Sequence, residues 1–231
     1  MMRWIVLVLL VGLAACDMSG APLTPTVEVI PTATPVRDEW TRVSADGVQL
    51  SVRPPSGWQS ITNEYGILLA EHAGMTGDTT PHGILVYIFV QKVHDLGMPI
   101  TEGGNLAWDV LNNVTQRQEY VGNSTVTDTV AIRWGERDAA YYLLSDSDGN
   151  YTFVLAMVMP SAEKLVVCNI TTTAEDADRI REMLPRILEN VMVDGAPLDE
   201  SIDDLLPDPL VFPEAPAETT DEPSSESTAD W

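Results

Sequence analysis

The stretch Gly83–Val93, GILVYIFVQKV, constrains the fold more than any other part of the chain. Read as a β-strand, it places Ile84, Val86, Ile88 and Val90 on one side and Leu85, Tyr87 and Phe89 on the other, because successive side chains point to opposite faces. Both sides are apolar, so both need cover. A sheet with one wet face does not accommodate such a strand; a layered body does.

The neighbouring patterns supply the layers. Val48, Leu50 and Val52 alternate with polar residues as in a half-buried strand, which Pro54-Pro55 then ends. Gly66–Gly74 reads as another strand. In GGNLAWDVLNNVTQRQ the period changes, since Ala107, Val110, Leu111 and Val114 recur at helical spacing and predict a helix over about Asn105–Gln118. Four strands follow at Thr125–Trp134, Ala139–Ser145, Tyr151–Met159 and Lys164–Thr172. The DSDGN stretch (Asp146–Asn150) makes a hairpin turn between the middle two. A last helix starts at the N-cap Thr173 with Glu175 and Asp176 in its first turn, and buries Ile180, Leu184, Ile187 and Val191. Pro185 predicts a kink or break in it.

Hairpin-linked strands imply an antiparallel sheet, and helices beside two-faced strands imply an α+β sandwich with about six to seven strands covered by helices. The RPPSGW opening (Arg53–Trp58), the mid-chain helix after paired strands and the terminal helix closing on RILENVMV resemble the PsbP-like superfamily over about Val48–Val193. That superfamily groups photosystem assembly proteins, a nuclear-transport factor and many bacterial lipoproteins. The resemblance implies an α/β/α sandwich and a non-catalytic binding or assembly role, and it transfers no functional residue.

The ends of the chain carry a different message. Residues 1–15 combine Arg3, an apolar run and small residues, as a secretory signal does. The run is too short to span a bilayer, which takes about 20 apolar residues. Leu13-Ala14-Ala15-Cys16 matches all four positions of the bacterial lipobox and is similar to it in placement. The resemblance implies cleavage before Cys16, a diacylglyceryl group on its thiol, and a body held in the cell membrane on the extracytoplasmic side. Residues 16–37 are then anchor and tether. Pro22, Pro25, Pro31 and Pro35 alternate with threonines there and favour an extended stalk, at ~3.1 Å per residue roughly 60 Å long.

Residues 38–193 read as one domain and 194–231 as an acidic, largely disordered tail. The tail from Asp194 holds twelve Asp and Glu with no Lys or Arg, within a formal charge of −23 for the whole chain. That balance is repelled by nucleic acid, which is excluded as a partner. SIDDLLPDPLVF (Ser201–Phe212) is the apolar exception in the tail. Its Leu205, Leu206, Leu210, Val211 and Phe212 either dock back on the domain or meet an unknown protein partner.

Catalytic motifs are missing from the sequence, and no cofactor is implied. His72, His82 and His94 sit beside or near acids, but neighbours on a strand face opposite ways, so they read as unrelated surface or loop residues and no metal is expected. Asp146 and Asp148 suggest a calcium loop, yet Leu144 and Leu155 occupy two of its ligand positions. The alternative role is a cell-surface binder of a small ligand or divalent cation, with Trp58 and Trp108 the candidates for lining a small-ligand cleft. Cys168 lies in an apolar run and reads as a buried structural thiol.

Overall fold

A computed structural model of the chain describes residues 39–75, 82–99, 101–159, 164–198 and 201–216. The expected signal, anchor and tether therefore lie outside the described residues, as does the end of the tail. The chain opens with a hairpin of β1 (Thr41–Ala45) and β2 (Val48–Val52), turned at Asp46 and Gly47 with φ of 52° and 79°. Such left-handed pairs are the tight turns that Asp-Gly favours. A second hairpin, β3 (Gln59–Thr62) and β4 (Gly66–Ala70), leads to β5 (Leu85–Lys92). Next come α1 (Leu106–Thr115), the single turn α2 (Gln118–Val121), and strands β6 (Thr125–Val126) and β7 (Val130–Trp134). The long strands β8 (Arg137–Ser145), β9 (Asn150–Val158) and β10 (Lys164–Thr173) precede α3 (Ala177–Leu188). Short strands β11 (Val191–Val193) and β12 (Ala196–Pro197) follow it.

The main sheet is antiparallel, in the order β3-β4-β5-β10-β9-β8-β6, with β7 also on β8. β5 lies inside it between β4 and β10; Val86, Ile88 and Val90 are buried on one side, while Leu85, Tyr87 and Phe89 on the other, where the composition calls for cover, are half-buried. Val86, Ile88 and Val90 join one core cluster with Phe153, Leu155, Cys168, Ile170, α3 and the β1–β2 hairpin. On the other face Phe89 packs with Leu165, Val167, Val154, Tyr142 and the α1 residues Ala107, Val110 and Leu111. The expected class, an antiparallel α+β fold covered by helices, is the fold of the described residues. A second, smaller sheet of order β1-β2-β11-β12, not foreseen in the sequence, completes the α3 layer.

Gly66 is fixed by close approach rather than by its dihedral. A Cβ there would stand 2.1 Å from the Ile88 carbonyl oxygen and 2.7 Å from Phe89 Cα. Both are backbone atoms of the paired strand and cannot swing aside. Gly66→Ala is expected to cost at least 2 kcal/mol, the upper range for overpacking, measured by urea unfolding of the body.

Four expectations need correction. The Thr125–Trp134 strand is two strands, and Thr127 breaks the run by turning its hydroxyl to the Leu143 amide at 3.0 Å. Thr173 ends β10 instead of capping a helix with its side chain, and a 3-10 turn at Ala174–Asp176 precedes α3. Pro185 lies within α3 without breaking it. The lost amide removes one bond, and the Glu189 amide resumes the ladder on the Pro185 carbonyl at 2.9 Å. Val191, assigned to the helical stripe, is instead a buried residue of β11, paired with Val52.

The largest correction concerns the boundary at Val193. The packed body continues past it: Leu198, Ile202, Leu206 and Leu210 all enter the α3-side core. Acidic and proline-rich composition suggests disorder, but one apolar residue every fourth position suffices to hold this segment down.

Candidate functional site

Residues 201–213 form a strap over the β7–β9 part of the α3-side face. Arg181 clamps it: its guanidinium donates to the Asp203 carboxylate at 2.5 Å, to the Asp203 carbonyl at 2.6 Å and to the Pro207 carbonyl at 3.3 Å. Phe212 meets Tyr151 edge-on at 5.3 Å, and the Ser145 hydroxyl donates to the Pro213 carbonyl at 2.7 Å. Leu206 and Leu210 are thus core residues and not a partner contact. Leu205 and Phe212 are half-buried against the core, and Val211 alone of the five faces outward, 72% exposed.

The Arg181 guanidinium holds the Asp203 carboxyl below the usual carboxylate range. A depressed folded-state value means the clamp stabilises fully above the unfolded value of about 4 and fades as pH falls through the depressed one. Asp203 is half-exposed, so screening keeps the contribution at about 0.5–1 kcal/mol. Arg181→Ala is expected to lower stability by that amount at pH 7 and to flatten the acid limb of a stability-versus-pH curve below pH ~4.

Trp58 and Trp108 do not share a cleft. Trp58 is 9% exposed in the α3-side core, whereas Trp108 is half-buried under α1 on the opposite face, its indole donating to the Thr129 carbonyl at 3.0 Å. Asn105 seats that helix: its Oδ1 accepts from the Trp108 amide at 3.0 Å, and its Nδ2 donates to the Ala139 carbonyl at 3.0 Å. The three histidines are exposed: His72 and His82 lie on the β4–β5 connection, with His82 Nδ1 3.3 Å from Glu175, and His94 lies in the turn after β5. Among the described residues no three His, Cys, Asp or Glu side chains converge as metal ligands. Cys168 is buried, and burial pushes its thiol up to about 12. A cavity of about 10 Å³ beside it is lined by Ile88, Trp134, Leu155 and other apolar side chains, which offer a water no set of polar partners.

Among the described residues, an ionic network ties Glu71, Gly83 and Ile84, at the two ends of the β4–β5 connection, to Asp176 and α3. Arg179 bonds Glu71 and, at 3.0 Å, Asp176, and it holds the Asp176 carboxyl below its usual range. The same carboxylates accept backbone amides: Gly83 to Asp176 at 3.1 Å and Ile84 to Glu71 at 2.9 Å. Every one of these groups is engaged in holding the loop.

A different surface stands out where α1 runs out. α1 lies over β7, β8 and β9, and the same sheet face continues across β10, β5, β4 and β3. There Leu85, Tyr87, Asn169, Thr171, Thr173 and Asn150 are all half-buried. Tyr87 stacks on Phe89 at 4.9 Å and its hydroxyl is fixed by Asn63 at 3.1 Å. Thr152 and Thr171 share a hydroxyl bond of 2.9 Å. Beyond Tyr87, the hairpin exposes Ile61 at 47% and Tyr65 at 51%. Sequence reading took the β10 positions as ordinary strand. The signal was the switch on one parity from Leu165 and Val167 to Asn169, Thr171 and Thr173.

No protein-family model matches the chain, and no curated protein does. Among solved structures it is similar to PsbP (CyanoP) of the cyanobacterium Synechocystis sp. PCC 6803, with 14% identity, a TM-score of 0.38, and coverage of 75% of this chain and 99% of that one. It is also similar to LpqN of Mycobacterium tuberculosis, involved in cell envelope biogenesis, with 12% identity, a TM-score of 0.41, and coverage of 67% and 90%. The Ran-binding protein Mog1p of Saccharomyces cerevisiae gives 9% identity, a TM-score of 0.42, and coverage of 68% and 97%.

Proposed function

We propose that the chain is an extracytoplasmic lipoprotein whose body serves as a non-catalytic binding or assembly module for a protein partner. The observation that carries this reading is Leu13-Ala14-Ala15-Cys16 set directly behind an apolar signal run. Acylation there joins the body to the bilayer through a tether of prolines and threonines, with no nucleic acid contact for so acidic a chain. The ionisable side chains of the body support the non-catalytic part: Arg179 and Arg181 are each committed to carboxylates that hold a loop or the strap in place. The partner surface is drawn from outside the strap, since most of the strap's apolar residues face inward.

The test has two arms. Intact-mass measurement of the chain extracted from its native membrane is expected to give an amino terminus at Cys16 carrying diacylglycerol. Crosslinking in those membranes is expected to join the body to one protein that an anchor-plus-tether fragment does not capture. A water-soluble cytoplasmic chain, or crosslinks shared equally by the fragment, overturns the reading.

A further inference from the structure

We infer that the half-buried, uncharged sheet face around Tyr87 and Asn169 binds a neutral, hydroxyl-rich ligand of the carbohydrate class. The first observation is chemical character. The face positions on β3, β4, β5, β10 and β9 are Gln59, Ile61, Leu68, Leu85, Tyr87, Asn169, Thr171, Thr173, Asn150 and Thr152, with Gly66 and Ala70 between them. None is charged, in a chain whose formal charge is −23. A site for a cation, phosphate or basic peptide would show complementary charge; this surface offers amides, hydroxyls and an aromatic ring.

The second observation is unspent hydrogen-bonding capacity. Asn169 Oδ1, Asn150 Oδ1 and Thr173 Oγ1 are buried and make no hydrogen bond. Buried side-chain acceptors without donors are rare, because each has given up its water without gaining a partner. Of the four such side-chain atoms among the described residues, these three belong to this one face and the fourth, Thr129 Oγ1, lies elsewhere; Asn150 and Thr173 are direct cross-strand partners. Acceptors call for donors, and sugar hydroxyls donate. Tyr87 supplies the apolar contact that the C–H face of a pyranose seeks, held in place by Asn63 and Phe89. The half-buried state of these residues suits a shallow floor flanked by α1 on one side and the β3–β4 hairpin on the other.

The inference stands apart from the lipoprotein reading, because it concerns the body alone. The test therefore uses the full mature chain without lipid, from residue 17 onward. Chitohexaose, cellohexaose and maltohexaose serve as neutral probes, with polygalacturonate as the charged control, and binding is followed by titration calorimetry and amide hydrogen exchange. At least one neutral hexasaccharide is expected to bind and to protect amides of β5 and β10, while the polyanion does not. Asn169→Asp, close in shape but charged, is expected to weaken that binding at least tenfold with an unchanged melting temperature. Tyr87→Ala is expected to do the same, with Tyr87→Phe keeping most of the affinity. Failure of all three neutral probes, protection confined to another face, or undiminished binding by a folded Asn169→Asp variant overturns the inference.

Discussion

Ile202→Ala is expected to lower the stability of the body by about 3 kcal/mol, within the 2–5 kcal/mol range for emptying a buried aliphatic site. Ile202 is 1% exposed, in the apolar stretch of an otherwise acidic tail. The cause lies in the geometry of the α3 layer. α3 packs on β10, which leaves Trp134, Tyr141, Leu143 and Phe153 farther along the sheet in need of cover. Leu198, Ile202, Leu206 and Leu210 join the same cluster as those four. Urea unfolding should show a reduced midpoint with an unchanged slope, since the folded body stays the same size. Val211→Ala, at the outward position between Leu210 and Phe212, should stay within about 0.5 kcal/mol of the parent. Ending the chain at Leu198 removes three core residues together and should leave no cooperative unfolding transition. A truncated chain that still unfolds cooperatively near the parent midpoint would mean the strap is dispensable.

The central elements were legible because periodicity reports burial directly. β5 carries apolar residues on two parities, which names both the strand and its need for cover, and β8, β9 and β10 read as strands from their β-branched and aromatic residues. The helix that apolar spacing places from about Asn105 begins at Leu106, where the Asn105 side-chain oxygen accepts the Trp108 amide as a cap. What escaped notice was short or mixed. β3 is four residues of which only Ile61 is strongly apolar, and β11 hides behind the helix it follows. Composition leaves the strap open between docking and a partner because it averages over a window, whereas burial is decided residue by residue: four aliphatic side chains at equal spacing outweigh the prolines and carboxylates between them. The uncharged face was missed for a related reason. Threonine and asparagine are ordinary strand residues singly, and only the register of β10 against β5 and β9 places them on one surface with Tyr87.

Cys16→Ala is expected to have the largest effect on where the protein resides. Lipidation requires the sulfur, because the thiolate is the nucleophile that takes the diacylglyceryl group, and alanine offers nothing to replace it. Each buried methylene contributes ~0.8 kcal/mol, so two or three chains hold far more firmly than the marginal attachment of one. The body adds little of its own, since its acidic surface is repelled by anionic headgroups. On detergent phase separation the wild-type chain should enter the detergent phase and incorporate labelled fatty acid. The variant should incorporate none, and once its signal is removed it should move to the aqueous phase. Precursor still carrying residues 1–15 would remain membrane-bound through its apolar run, and intact mass separates that species from a lipidated one. Stability of the folded body should be unaffected, because Cys16 lies more than twenty residues before Thr41, where β1 begins. A wild-type chain that keeps a free thiol at Cys16 in its native membrane would remove the anchor from the account, and with it the reason for placing the body outside the cell.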